Sequence, residues 1–223
     1  MKLAILNGSP RKLKSNSKLL MDKFIEGFTK TGANSYCLGY LSTVTKNHEH
    51  LKMITESEYI IIIFPLYADS MPGRVKLFIE SLENTEGFGK KKIGFIVQSG
   101  FPEAHHSIFV ERYLHRLTDR LGAEYLGTVI KGGVEGIQVM PGWMTKKLFI
   151  QFYKLGEIFG IEGQFDAHIC EELAKPYKMS KTNLNIYKLL MKTGLNDFYW
   201  NSQLKKNNAY ALRFERPHLH TKQ

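Results

Sequence analysis

Two hydrophobic rhythms alternate along about the first 135 residues of this 223-residue chain. Short apolar runs at 2–6, 35–41, 59–64, 92–98 and 125–130 have the length of β-strands. The run YIIIIF at 59–64 is apolar throughout, the mark of a central strand covered on both faces. Between these runs, apolar side chains recur every three or four positions, as on helices. Leu20, Phe24 and Phe28 share one face of a helix at 16–30, and Leu51 and Ile54 mark a short one at 47–57. Val75, Phe78, Ile79 and Leu82 form the buried face of the next, with Pro72 in its first turn. Val110, Tyr113, Leu114, Leu117 and Leu121 make a stripe along 105–121, which Gly122 ends. Strands alternating with helices imply parallel strands joined by right-handed crossovers, hence an open, doubly wound α/β sheet of five strands.

The rhythm changes beyond about residue 132. Helices are predicted at 143–159, 183–192 and 196–206, and no Ser/Gly-rich linker or internal repeat intervenes. The expected organisation is a core at 1–136 and a helical extension at 137–223 packed on the same domain.

Composition narrows the class. With 43% hydrophobic and 23% charged residues, the chain is an ordinary globular protein long enough to bury a core. Two cysteines, Cys37 and Cys170, are too few for a disulfide framework or a four-thiolate iron–sulfur site, so two unlinked thiols are expected. Lys2 is followed by only four apolar residues before the Asn7-Gly8 turn, far short of an export signal, which predicts a cytoplasmic protein. The net charge is +10, and from Trp143 onward 13 basic residues face 7 acidic ones. No basic run exceeds Lys90, Lys91 and Lys92 and no nucleic-acid motif is present. The excess therefore reads as a solvated surface that attracts small anions, with no nucleic-acid partner. The lysines at 146, 147, 154, 188 and 192 lie on helices read as core or interface packing, without membrane insertion.

In a doubly wound sheet, ligands bind beyond the carboxyl ends of the strands where the strand order reverses. Three loops are expected at that crevice. The first, GSPRKLKSNS at 8–17, is neither a Walker loop nor a G-x-G-x-x-G fingerprint. It still offers the hydroxyls of Ser9, Ser15 and Ser17, the Asn16 amide, the Arg11 guanidinium and the N–H groups of a helix start, all suited to a phosphate monoester. Its plainer reading is a turn with Ser15 or Asn16 as helix cap. The second, PLYADSMPGRVKLFIE at 65–80, presents Pro65, Leu66, Tyr67, Ala68, Asp69, Ser70 and Met71 after the most buried strand, a surface suited to a flat heteroaromatic ring. The third, QSGFPEAHH at 98–106, places Ser99, Gly100 and Phe101 where backbone and an aromatic ring can border a ligand.

At these loops the sequence resembles the flavodoxin-like NAD(P)H-dependent FMN reductases, over roughly residues 2–133. NGSPR…SNS is similar to that family's FMN phosphate loop, and PLYADSMPGRVKLFIE to its Pro-x-Tyr…Met-Pro segment beside the isoalloxazine ring. The resemblance implies a flavodoxin-like sheet of order 2-1-3-4-5 with added C-terminal helices. It also implies non-covalent FMN, with phosphate held by Ser9, Arg11, Asn16 and Ser17 and the ring by residues 65–71 and 99–101. It implies hydride transfer from NADPH or NADH to a quinone, nitro or azo compound, or free flavin, in a homodimer. No catalytic side chain is expected, because the flavin carries the hydride; Tyr67, Asp69 and Phe101 would shape access.

Two alternatives remain. One is a non-enzymatic electron carrier, disfavoured because the ring loops hold only Asp69 and Glu103 as acids. The other is an FMN-sensing interaction module. His105 and His106 are read as an exposed helix start or a substrate contact. The HEH at 48–50 and HLH at 218–220 each lack a third clustered ligand, so no metal is expected.

Overall fold

The computed structural model describes residues 1–43, 47–82, 87–192 and 197–216. Strands β1 (Lys2–Asn7), β2 (Ser35–Tyr40), β3 (Tyr59–Pro65), β4 (Lys92–Gln98) and β5 (Glu124–Lys131) form one parallel sheet in the order β2-β1-β3-β4-β5. This is the expected α/β fold and strand order. Helices α1 (Asn16–Phe28), α2 (Asn47–Glu56), α3 (Gly73–Glu80) and α4 (Ile108–Arg120) join the strands, and α5 (Gly142–Glu162) and α6 (Ala167–Leu173) follow. The chain divides into two units, Met1–Lys178 and Met179–Gln223. The second carries α7 (Lys181–Lys192) and α8 (Phe198–Lys206).

The alternation of side chains along each strand decides what each helix covers. In β1, Leu3 and Ile5 point to one face and Ala4 and Leu6 to the other; in β3, Ile61 and Ile63 oppose Ile60, Ile62 and Phe64. The first face is closed by α1 and α5 through Leu20, Met21, Phe24, Phe28, Phe152 and Phe159. The second is closed by α2, α3 and α4 through Ile54, Val75, Phe78, Val110 and Leu114. All seven residues of β3 are buried, as a middle strand between two helical layers requires.

Helices α1 and α5 meet backbone to backbone. A Cβ on Gly27 would lie 1.9 Å from the Tyr153 carbonyl oxygen, and one on Gly156 would lie 1.9 Å from that of Phe24. Only hydrogen fits at these crossings.

Some boundaries differ from the sequence expectations for local reasons. Helix α1 stops at Phe28 because Thr29–Thr31 tightens into a 3₁₀ turn closed by Gly32 at φ 70°. The helix expected from 105 begins at Ile108, since Ala104–Ser107 forms a 3₁₀ turn. Pro72 caps α3 from outside, and its carbonyl accepts from the N–H of Val75 and Lys76. The short α6 was not apparent from the hydrophobic pattern; the Asp166 carboxylate starts it by accepting from the Ile169 N–H at 2.7 Å. Helix α8 begins at Phe198, and residue 196 lies outside the described residues. No helix among the described residues is long and apolar enough to cross a membrane. Cys37 and Cys170 are free thiols.

Candidate functional site

Order reverses between β1 and β3, and the loops leaving their carboxyl ends meet there with the loop after β4. One cleft is lined by Ser9, Arg11 and Asn16 from the first loop, Pro65, Leu66 and Tyr67 from the second, and Gln98, Ser99 and Gly100 from the third. Glu135, from the loop after β5, completes it. Its lining is polar although partly buried: Ser9, Gln98 and Ser99 are almost fully covered, as are Asn7 and Ser17, which hydrogen-bond to Ser15 and Gln98.

Gly8 lets the first loop leave the sheet. Its N–H donates to Ile63 O at 2.8 Å, and a Cβ there would lie 2.3 Å from Val75 Cγ2. The Asn7 carboxamide then folds the turn, accepting from Ser9 N–H at 2.8 Å and donating to Ser15 Oγ at 3.3 Å. Ser15 is the N-cap of α1: its Oγ accepts from Lys18 N–H at 3.1 Å and donates to Lys12 O at 2.6 Å. The N–H groups of Asn16 and Ser17, in the first turn, have no intrahelical acceptor and carry the positive end of the helix dipole.

The side chains offered to a phosphate are therefore of two kinds. Ser9 sits at the cleft with a hydroxyl to give, and Arg11 with a guanidinium already held by a carboxylate. Ser15 is used as a cap, and Ser17 Oγ accepts from Gln98 Nε2 at 3.4 Å. Asn16 reaches across the crevice: its Nδ2 donates to Val134 O at 2.7 Å and to Glu135 O at 3.2 Å. Gln138 Nε2 closes the clasp by donating to Asn16 Oδ1 at 2.7 Å. The Arg11 guanidinium is paired with Glu135 Oε1 at 3.3 Å, with side chains 51% and 34% exposed. A carboxylate thus satisfies the guanidinium that an incoming phosphate would take.

The second loop is a two-residue turn. Tyr67 N–H donates to Ser70 O at 2.8 Å and Ser70 N–H to Tyr67 O at 3.0 Å. Ala68 and Asp69 between them lie at φ 48° and 56°, left-handed values that cost a residue with a Cβ on the order of 1 kcal/mol each. Such a turn leaves the N–H groups of its two central residues outside its own hydrogen bonds. Tyr67 is exposed at its edge. Beside it, Asp69, Ser70, Met71, Lys76, Phe109, Val110 and Tyr113 line a mainly apolar cavity of about 250 Å³.

The third loop is held by backbone. Leu66 N–H donates to Gln98 O, Ser99 N–H to Lys131 O, and Val134 N–H to Ser99 O. Ser99 Oγ donates to Phe101 O at 3.0 Å, leaving the exposed Phe101 ring stacked on His106 with centroids 4.7 Å apart. His105 and His106 are half-buried on their 3₁₀ turn, beside Glu103.

The structure thus brings Ser9, Arg11, Asn16, Pro65, Leu66, Tyr67, Ser99 and Gly100 into one cleft. Asp69, Ser70 and Met71 face the neighbouring cavity, and Ala68 is the strained corner between. Asn7, Gln98, Glu135 and Gln138 escaped the sequence reading. A polar residue ending each of the apolar strands β1 and β4 was the available signal for Asn7 and Gln98. Glu135 and Gln138 follow the Gly132-Gly133 pair after β5, a loop whose approach to the crevice depends on Asn16. The HEH at 48–50 lies on α2 and is not part of any three-ligand group among the described residues. The HLH at 218–220 lies outside the described residues.

A parallel sheet ordered 2-1-3-4-5, with a helix N-terminus and two short loops at its switch point, defines the flavodoxin-like class of α/β proteins. The model of the family with the flavodoxin-like fold matches residues 1–142, and the chain belongs to that family. No curated protein sequence matches it. Among solved structures it is similar to NAD(P)H:quinone oxidoreductase from Methanothermobacter marburgensis, with TM-score 0.59 and 17% identity over 75% of this chain and 99% of that one. It is similar to an FMN-dependent NADH-azoreductase from Bacillus anthracis in complex with FMN, with TM-score 0.56 and 13% identity over 71% and 99%. RosB with a bound 8-demethyl-8-formylriboflavin-5'-phosphate gives TM-score 0.55 and 16% identity, over 86% of this chain and 87% of that one. At such identities the likeness is one of fold.

Proposed function

We propose that the chain is an FMN-dependent oxidoreductase that takes hydride from NADPH or NADH and reduces a small acceptor: a quinone, a nitro or azo compound, or free flavin. One observation carries this reading. Three loops far apart in sequence converge on a single cleft whose one end offers phosphate donors and whose other end offers the Tyr67 ring at the edge of a tight turn. The names of the similar structures, two of them with a flavin phosphate bound, support it.

The residues fit the group. Ser9, Arg11 and the first-turn N–H groups of α1 would hold the phosphate dianion, a match of charge and hydrogen-bond direction. The exposed Arg11–Glu135 pair must part for the guanidinium to meet a phosphate, and the loops must widen as well, because the cleft encloses only about 30 Å³, room for roughly one water. Exposed pairs of this kind are worth about 0–1 kcal/mol, so the cost of parting the pair is small. The N–H groups at Ala68 and Asp69, unused within their turn, and the backbone at Ser99 and Gly100 would supply oriented dipoles at the ring edge. Tyr67 and Phe101 would exclude water and limit the acceptor to flat molecules. Bound there, FMN supplies two-electron hydride chemistry, for which no side chain need move a proton. The cavity bounded by Met71, Phe109 and Tyr113 would seat the acceptor. The exposed Leu77, Phe109 and Tyr113 nearby favour a homodimer closing over it.

The test is a visible-spectrum titration. The purified chain is expected to take up FMN, and anaerobic NADPH or NADH is expected to bleach it without a semiquinone phase. Failure to bind FMN overturns the reading. A stable semiquinone with negligible nicotinamide oxidation would instead make the protein an electron carrier. FMN-dependent partner binding with no turnover would make it a sensor.

A further inference from the structure

The turn after β4 gathers a group of side chains that the flavin reading does not use. Among the described residues, Glu103, His105 and His106 are the three His, Cys, Asp or Glu side chains whose ligand atoms all lie within 4.8 Å of one another. Glu103 Oε2 is 3.9 Å from His105 Nδ1 and 3.8 Å from His106 Nε2. A second observation points to a ligand. The other nitrogen of His106, Nδ1, faces Asp69 Oδ1 at 3.6 Å, across from the neighbouring loop. A histidine with one nitrogen turned to a cluster of donors and the other to a carboxylate has the arrangement that fixes tautomer and orientation in metal sites.

We propose that Glu103, His105 and His106 form a site for a divalent ion of the zinc class, with Asp69 orienting His106 from outside the coordination sphere. The donor set is two imidazoles and one carboxylate, which suits a borderline ion such as Zn²⁺ over Mg²⁺ or Ca²⁺. Zinc–ligand bonds of about 2.0–2.1 Å put tetrahedral ligand atoms about 3.3–3.4 Å apart. The two carboxylate–imidazole separations need to close by roughly half an ångström, a small rotation for partly buried side chains beside a turn. His105 must release Tyr177 O, now 3.3 Å from its Nδ1. That carbonyl keeps the His105 backbone N–H as donor at 3.1 Å, so it is not orphaned. Three protein ligands leave a fourth position for water or a substrate oxygen. The ion would also tie the turn of residues 104–107 to the strained turn at Ala68 and Asp69, the two flanks of the crevice.

The test uses the full chain without an affinity tag, stripped with chelator and titrated with Co²⁺, then Zn²⁺. One Co²⁺ per chain is expected, with the visible bands of four-coordinate cobalt, displaced by Zn²⁺. Two imidazoles should show cobalt-shifted proton resonances in the unmodified chain. H105A, H106A and E103Q are each expected to weaken binding at least 100-fold, and D69N about tenfold. Absence of saturable uptake, or uptake that survives H105A and H106A together, overturns the site; the second result would place the ion elsewhere, for example at His218 and His220. Uptake is measured with and without FMN. A chain that binds the metal but no FMN sinks the oxidoreductase reading alone, and the reverse sinks the metal site alone.

Discussion

The two ends of α1 live under opposite rules. At its carboxyl half, Gly27 meets α5 with carbonyl oxygens where a Cβ would stand, and Phe24 and Phe28 pack on Phe159. Nothing can move there without opening the core. At its amino end, 11 residues earlier, the contacts are a cap, a carboxamide clasp and an exposed ion pair. Rigid packing places the crevice, and weak polar contacts leave it able to admit a ligand. The division explains why the site residues can be polar and strained without endangering the fold.

The sharpest way to break the rigid end is Gly156→Val. Its side chain cannot be accommodated against Phe24 O, and a loss of about 3 kcal/mol or more in urea unfolding is expected, with FMN uptake lost alongside. The adaptable end should behave otherwise. Arg11→Ala is expected to weaken FMN binding about 10–100-fold, the worth of a hydrogen bond to a charged group, while the urea midpoint stays almost unchanged. Glu135→Gln should act in the opposite sense, strengthening binding a few-fold by removing the carboxylate that competes for Arg11. Isothermal titration on the three variants separates the two regimes.

Alkaline pH probes the scaffold alone. Burial pushes the Cys170 thiol from 9.0 up to about 12, and the Tyr125 hydroxyl from 10.0 up to about 12. The folded chain keeps these protons after the unfolded chain has lost them. Their stabilisation is complete below about pH 9 and is lost as pH rises from there toward 12, by up to about 1.4 kcal/mol per pH unit for each group. Cys170→Ala should flatten the first part of that decline. The smallest effect is at the ring turn: Ala68→Gly relieves a left-handed alanine and is expected to raise stability by about 1 kcal/mol at most, read as a higher urea midpoint.

The scaffold was legible because burial writes itself into the chain. YIIIIF announces a middle strand, and Leu20, Phe24 and Phe28 announce a helix facing it. The crevice was legible in part, because Ser9, Arg11 and Tyr67 lie in loops whose place follows from the topology. What stayed hidden depends on distant pairings or on backbone angles. Asn16 reads as a phosphate donor until Val134 and Glu135 are seen to take its amide. Glu135 is an unremarked acid until Arg11 faces it. Ala68 carries no sign of a left-handed turn, since glycine, asparagine or aspartate would be the usual choice, and Asp69 alone is too weak a signal. The α6 helix is too short for periodicity to reveal.

The Asn16 clasp also says something about order in time. It joins positions 118 residues apart, and the Arg11–Glu135 pair spans 124. A chain emerging from the ribosome can assemble β1, β2 and β3 early, yet its first loop keeps no partner on the far side until β5 and the residues after it exist. Flavin capture, on the reading proposed above, is therefore a late event that only a nearly complete core can perform. A truncation ending before Val134 would leave the phosphate loop intact in sequence and open in space, and the cofactor would report on finished molecules alone.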